Sequence, residues 1–436
     1  MTQQVLRPLD PAAAEVPDRG QPVGGLEAAG EVVLRHSGHL GQPVQVERGR
    51  VVLVDVVVGP PQMGQQFHRH PGPRRCPRHF PSVHSPGQPL LSYMRNPHPR
   101  SASGGRTGGA PPYFVGIDVG GTGIKAGLFT EDLGPRLEFR VPTPREDGPD
   151  AVVAATLATV AEAVARGGRQ FGTAPAAVGL AVLGLVDEAA GVAKTSTATG
   201  WRDVPLRALV EESVSVPVGF GHDLRAAALA EARLGAGRGL DSFLFVALGT
   251  GIGSAIVLGG QPFAGAHGRA GEIGHVPARG HHDPCSCGGV GCLETVASAR
   301  AVAARYGRRA ASRLGVGSGP GTGVAPEGPL SAAQVAELVK RGDPDAVAVW
   351  NDAVEGLAEV LAGCVAIVDP AALVIGGGLA KSGEQLLGPL RSGLQERLTL
   401  GAPPPVAVAG LGDRAALVGA GLLARQAFAG AGGEPE

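Results

Sequence analysis

The segment DVGGTGIKAGL (118–128) sets paired glycines and a threonine between two apolar runs. Glycines there let backbone N–H groups approach phosphate oxygens that a Cβ would fend off, and the Thr122 hydroxyl adds a further donor. Asp118, closing the first run, stands where it could hold a Mg²⁺ ion through water. The spacing is not that of the Walker loop, because no G-K-[ST] ends it and no helix follows. Taken alone, Asp118, Gly120, Gly121 and Thr122 read equally well as a plain hairpin turn.

A second segment, ALGTGIGSAIVLGG (247–260), repeats the arrangement with Gly249, Thr250, Gly251 and Gly253 between apolar strands. Two such turns facing each other across a cleft would clamp the phosphates of a nucleotide. A third glycine cluster, VIGGGLAKSG (374–383), follows an apolar strand and precedes a helix, so Gly376, Gly377 and Gly378 could lie against an adenine and ribose. Each cluster is weak by itself; their order along the chain is what argues for a bound nucleotide. Three of the five cysteines, Cys285, Cys287 and Cys292, crowd together, which points to a metal rather than a disulfide framework. Asp223, in GFGHDLRAAALAE, follows a short strand and opens a helix. A carboxylate so placed suits acceptance of a hydroxyl proton during phosphoryl transfer, although from its position alone a helix N-cap is the commoner role.

The elements that must hold these residues are read from periodicity and punctuation. Strands are predicted over 113–118, 124–130 and 137–142, a helix over 150–165, strands over 176–186 and 217–221, and a helix over 223–234. The second half restarts in the same way, with strands over 242–249 and 254–260. Helices over 293–310, 331–341 and 344–367 follow, with a Gly/Pro-rich loop over 314–330, then a strand over 371–377, a helix over 381–397, a strand over 405–410 and a closing helix over 415–428. Alternating buried strands and amphipathic helices indicate an α/β fold, and two halves that each open strand, glycine turn, strand suggest a duplication around a cleft.

Residues 1–111 read differently. Pro, Gly, Arg and His interrupt every periodic segment, as in HRHPGPRRCPRHFPSVHSPGQP (68–89), and disorder is predicted there. The exception is 31–59, whose β-branched runs could form a hairpin or a pair of strands. A start at Met94 would leave this extension outside the functional protein. The lobes are accordingly placed at 112–235 and 236–436.

With 38 basic and 39 acidic side chains, the balance of charge gives no reason to expect nucleic acid or an anionic membrane as a partner. No run of roughly 18–20 unbroken apolar residues is present, and the first residues lack the pattern of a secretory signal, so a cytoplasmic protein is the expectation.

The DxGGTxxxxGL turn, the GTGIG turn, the GEIGH segment, the CxCGxxGCLE segment and the VIGGG turn together resemble the ROK family of bacterial sugar kinases and repressors over about 113–430. The resemblance implies the actin-like ATPase (ribonuclease-H-like) fold, two lobes with a cleft between them, ATP with Mg²⁺, and phosphorylation of a hexose, often glucose at its 6-hydroxyl. It implies that Asp223 is the catalytic base, that Glu272, His275 and Glu294 touch the sugar, and that Gly184 lies in a loop lining the same pocket. It further implies a structural Zn²⁺ held by His275, Cys285, Cys287 and Cys292, four ligands that fill a tetrahedral site. His281 and His282 are expected to face solvent, and Cys76 and Cys364 to be inert. The family commonly forms dimers or tetramers, so a homodimer or homotetramer is expected.

Two departures bear on the substrate. Family glucokinases usually carry Asn before the catalytic Asp, where this chain has His222, and Asn before the Gly-Trp pair, where it reads STATGW (196–201). Both asparagines are expected to bond the sugar, so N-acetylglucosamine, N-acetylmannosamine or another hexose could replace glucose. A sugar-responsive transcriptional regulator is the rival from another class. It would need an N-terminal winged helix-turn-helix, and residues 1–111 show neither its amphipathic helices nor a basic recognition face. A non-catalytic sugar sensor or an actin-like assembly protein is a third reading, disfavoured by Asp223 and the intact turns.

Overall fold

The structure, a computed structural model, describes residues 111–313 and 330–432, with four two-residue strands between residues 31 and 45. The chain divides into two units, Met1–Ser101 and Ala102–Glu436. In the first unit Glu31–Val32 pairs antiparallel with Val44–Gln45, and Arg35–His36 with His39–Leu40, inside the segment read as strand-forming. The disorder read over 1–111, the start at Met94, Cys76 and almost all of the loop at 314–330 lie outside the described residues.

The second unit opens with β1 (Phe114–Val119), β2 (Gly123–Phe129) and β3 (Pro135–Pro142), an antiparallel meander. Helix α1 (Pro149–Phe171) leads to β4 (Ala177–Val182), parallel to β1. A small antiparallel sheet of β5 (Leu185–Asp187), β6 (Val192–Thr195) and β7 (Arg202–Val204) and helix α2 (Leu206–Ser213) precede β8 (Val218–His222), which is parallel to β4. The first sheet therefore has the order β3-β2-β1-β4-β8. After α3 (Asp223–Leu234), the second sheet is built from β9 (Ser242–Leu248), β10 (Ile252–Leu258) and β11 (Gln261–Phe263), then β12 (Leu373–Gly376) and β13 (Val406–Val408). Its order is β11-β10-β9-β12-β13, with the same pairing senses strand for strand. The duplication suggested by the paired turns is thus a duplication of topology.

Between β11 and β12 the chain forms a turn at Ile273–His275 and helices α4 (Glu294–Ala297), α5 (Ala299–Arg313), α6 (Ala332–Lys340) and α7 (Pro344–Val368). Helix α8 (Glu384–Arg397) precedes β13, and α9 (Ala415–Gly430) closes the chain. Alternation divides each strand of the first sheet between two faces. Val115, Ile117 and Val119 of β1 join Val152, Val160 and Ala163 of α1 and Leu206 and Val210 of α2 in one core. That burial makes α1 an amphipathic core helix, although by length and composition alone it could cross a membrane; its outer face carries the Glu162–Arg166 ion pair.

The opposite face of that sheet presents glycines. Gly127, Gly116, Gly179 and Gly219 lie in register across β2, β1, β4 and β8. A Cβ on Gly179 would overlap the Ala420 carbonyl, and one on Gly219 the Leu423 carbonyl, so this row is the bed on which α9 lies. Helix α9, the last element of the stretch read as the 236–436 lobe, packs against β1, β4 and β8 of the first sheet and against α3. The row of glycines explains why, since only bare backbone admits a helix that close. On its other side α3 packs Ala227, Ala228 and Ala232 against Phe243, Phe245, Ala255 and Val257 of the second sheet. Helices α3 and α9 therefore fill the space between the two sheets, while the far face of the second sheet is covered by α4 to α8.

Candidate active site

The strand ends of the first sheet place the acidic residues. Asp118 shares the face of Phe114 and Gly116, so it points toward the α3–α9 layer. Lys125 sits directly opposite on β2, and its Nζ lies 3.0 Å from Asp118 Oδ2 and 2.8 Å from the Asp413 carbonyl oxygen. Burial pushes the Asp118 carboxyl up, Lys125 pulls it back down, and the charge of Asp223 adds to the upward push. Lys125 in turn holds Asp223 down, so the three groups form one electrostatic cluster. Asp413 also accepts a salt bridge from Lys381 at 3.1 Å, which ties the cluster to the segment after the third glycine run.

Asp223 is the first residue of α3, and His222 before it fills the cap position with extended backbone and no side-chain cap bond. Asp223 Oδ1 accepts only the adjacent Leu224 N–H, at 2.7 Å, and lies 3.4 Å from His222 Nε2. That is not the reach to the second or third helical N–H that an N-cap carboxylate makes. The side chain keeps 24% of its surface accessible. Burial pushes its carboxyl up to about 6, against the opposing pull of the Leu224 N–H and of Arg225 and Lys125.

The two turns differ in how they are held. In the first, Gly120 N–H donates to the Gly123 carbonyl at 3.1 Å, Thr143 Oγ1 donates to the Gly120 carbonyl at 2.6 Å, and Arg140 Nη2 donates to Thr122 Oγ1 at 3.1 Å. Gly121 approaches Ala198 of the STATGW loop. In the second, Gly249 N–H donates to the Gly251 carbonyl at 3.0 Å, and Ile252 N–H to Glu294 Oε2 at 2.9 Å. A Cβ at Gly249 or Gly378 would meet almost nothing, whereas one at Gly253 would overlap Leu224 Cδ1. Gly377, at φ +84°, has its backbone pressed against that of Leu248. Open backbone at Gly249 and Gly378 is available to a ligand; Gly253 and Gly377 are required by packing, and Gly376 is buried in β12.

The residues expected around a sugar are distributed as follows. Gly184, at φ +89°, turns the chain between β4 and β5 against Thr195 and Ser196, where β6 runs into the STATGW segment. Glu272 is exposed, and its charge reaches His222. His222 is 6% exposed, its Nδ1 has no hydrogen-bond partner, and burial followed by the charge of Arg225 lowers its pKa to about 4, so it is neutral near pH 7. Glu294 is engaged by the second turn. A cavity of about 320 Å³ beside it is lined by Cys285, Ser298 and Arg300 but by none of Asp118, Asp223 or Glu272.

His275, Cys285, Cys287 and Cys292 converge, with all four ligand atoms within 4.8 Å of one another. Cys287 Sγ lies 3.6 Å from Cys292 Sγ, and Cys285 Sγ 3.7 Å from His275 Nδ1. Tetrahedral Zn–S bonds of about 2.3 Å put sulfurs about 3.8 Å apart, so these spacings are compatible with a zinc site. Without a cation, burial and the neighbouring thiols push Cys292 up to about 12, a cost that a divalent ion offsets. His282 is exposed and His281 turns its Nδ1 toward Arg305 at 3.4 Å, so neither joins the cluster. Cys364 is a free thiol away from it.

Sequence reasoning missed Lys125, Arg140, Glu188 and Arg225. Buried Arg225 donates through Nε to Glu188 Oε1 at 2.7 Å, and the same oxygen accepts the His222 N–H at 2.9 Å, which fixes the start of α3. Lys125 could have been found: a hairpin centred on Gly120–Gly123 sets 118 against 125. Glu188 is 37 residues from Arg225, and no local pattern announces the pair.

Fold and turns together define an actin-like ATPase architecture. The chain belongs to the ROK family, whose pattern matches residues 114–427. It is 34% identical over 321 residues to a glucokinase of Streptomyces coelicolor, covering 72% of this chain and 97% of that one. It is 30% identical over 326 residues to N-acetylgalactosamine kinase AgaK of Shewanella sp., covering 71% and 96%. A ROK family glucokinase from Streptomyces griseus, solved in complex with glucose and AMPPNP, matches with a TM-score of 0.61 at 34% identity, covering 72% of this chain and 99% of that one.

Proposed function

We propose that the chain is an ATP-dependent hexose kinase, glucokinase-like, that phosphorylates a sugar 6-hydroxyl with Asp223 as general base. The observation that carries this reading is the Asp223 carboxylate. It opens α3 between the two sheets, is only partly covered, and has a pKa near 6, where a base both exists ionised and still attracts a proton. Family membership and the likeness to glucokinases matched over almost their whole length support it.

In the proposed reaction the sugar hydroxyl gives its proton to Asp223 as its oxygen bonds to the γ-phosphorus, and the bond to the bridging oxygen of ADP breaks. In the turns at Gly120–Thr122 and Gly249–Gly251, whose Gly120 and Gly249 N–H groups close the turns themselves, the remaining backbone N–H groups would face the phosphates, with Gly376–Gly378 beside the nucleoside. Asp118 would hold Mg²⁺, which neutralises phosphate charge. Glu272 and Glu294 offer the sugar hydroxyls acceptors, and His275, with one ring nitrogen turned to the metal cluster, offers the N–H of the other as a donor, with Gly184 shaping the loop beneath. The four-ligand cluster would hold a structural Zn²⁺ that fixes this loop.

Specificity for an N-acetylhexosamine is the second reading. It is favoured by His222 at the position where an Asn is expected and by the similarity to an N-acetylgalactosamine kinase. An ATP-consumption screen across hexoses and N-acetylhexosamines, run beside Asp223→Asn, tests both. Turnover that survives Asp223→Asn removes the base; consumption with no sugar removes the kinase. The reading also carries lobes at 112–235 and 236–436, a cytoplasmic location and self-association, which sedimentation would measure.

A further inference from the structure

We propose that Glu294 is a positioning residue for the second glycine turn, joining the nucleotide's side of the site to the metal-binding loop. The inference rests on the proposed reading of Gly249–Gly253 as a phosphate turn. Ile252 N–H donates to Glu294 Oε2 at 2.9 Å, and the Gly251 backbone packs so closely on that oxygen that a Cβ would overlap it. At the turn's other end, Ala299 N–H donates to the Gly249 carbonyl at 2.8 Å. One short stretch, 294–299, thus grips both ends of the turn.

That stretch is itself fixed by the metal-binding loop. Leu293 N–H donates to the Val276 carbonyl at 2.9 Å, Cys292 bridges to Pro277, and Thr295 Oγ1 donates to the Cys292 carbonyl at 2.7 Å. Gly274, beside the ligand His275, lies against the Ile252 carbonyl from the opposite side. The first turn is anchored differently, by Thr143 and Arg140 of its own meander. A glycine turn has many conformations to lose on binding, so an anchor that orders it beforehand lowers the cost of holding a phosphate. Among the described residues, Glu294 Oε1 has only Arg300, 3.9 Å away, as an ion-pair neighbour, and is left for a sugar hydroxyl. A single carboxylate would then touch the turn with one oxygen and the acceptor with the other.

The test is calorimetric titration of the full chain with Mg²⁺ and a non-hydrolysable ATP analogue, without sugar. Glu294→Ala should weaken the analogue about tenfold, the scale of one lost charge-assisted hydrogen bond and a loosened turn. Glu294→Gln, which keeps an acceptor oxygen, should return affinity to within about threefold of the parent. If Glu294→Ala does not fold, Glu294→Asp, which keeps the charge but falls short of Ile252, should show the same loss. An analogue affinity unchanged in Glu294→Ala or Glu294→Asp, or lowered equally in Glu294→Gln, overturns the inference. Gly249→Val, whose side chain would enter open space, separates the two levels. If it binds the analogue normally, the phosphate-turn reading fails and this inference with it; if it loses the analogue while the Glu294 variants do not, only this inference falls.

Discussion

Lys125 stands directly across the first hairpin from Asp118, its Nζ 3.0 Å from Oδ2, with the lysine 30% and the aspartate 8% exposed. The pair closes the end of the first sheet where the acidic cluster gathers. Lys125→Met leaves the Asp118 carboxyl buried without its nearest positive charge. Stability should fall by about 2 kcal/mol, less than for a fully buried pair because the lysine keeps contact with water. Asp118 should titrate higher than in the parent, so the variant's Mg²⁺ requirement should rise more than the parent's as the pH is lowered. Denaturant melts and Mg²⁺ titrations of turnover check both, and an unchanged Mg²⁺ requirement would remove Asp118 from the metal.

Asp223 sets opposite signs for activity and stability. Its folded pKa, about 6, exceeds the ordinary value near 3.8. Across that window the folded protein binds the proton more strongly, so this group's contribution to stability is complete below about pH 4 and is lost as pH rises through about 6. A general base works only when ionised, so kcat/KM should rise over the same interval. A pH–rate profile with no acidic limb between pH 5 and 7 would count against the assignment.

The thiol cluster should carry one zinc per chain by elemental analysis. Cys292→Ser or prolonged chelation should lower Tm by about 5 °C or more, since an ion bound only by the folded state stabilises it. Metal-free protein that melts with the native form would leave the cluster without a structural role.

His222→Asn tests specificity. The imidazole is buried with Nδ1 unpartnered, and Asn would restore the amide expected in family glucokinases. The ratio of kcat/KM for glucose over N-acetylhexosamines should rise about tenfold, the scale of one polar contact made or lost. A ratio that does not move would place His222 outside the sugar's reach.

Gly179→Ala should cost about 3 kcal/mol or more, because the added methyl must displace the backbone of α9 at Ala420. A chemical denaturation midpoint equal to the parent's would contradict the close approach of helix and sheet.

Much of this protein is legible along the chain because its signals are local. Glycines that punctuate a hairpin, a carboxylate that opens a helix, and cysteines two and five residues apart each declare their chemistry within a few residues. The repeat of strand, turn, strand at 113–130 and 242–260 announces two matching sheets, because strand periodicity is itself local.

What folding alone decided is which distant segments meet. The glycine row looks like four unrelated strand glycines until register aligns it under α9, so nothing in 415–428 told that the last helix returns to the first sheet. Gly253 and Gly377 carry the same letter as Gly249, yet packing consumes the first two and leaves the third open. Glu294 reads as a sugar ligand from its motif, and its grip on Ile252 depends on a contact 42 residues back along the chain. Spacing along a strand or helix is set by covalent geometry, whereas these pairings arise only when two sheets and the helices between them close around one another.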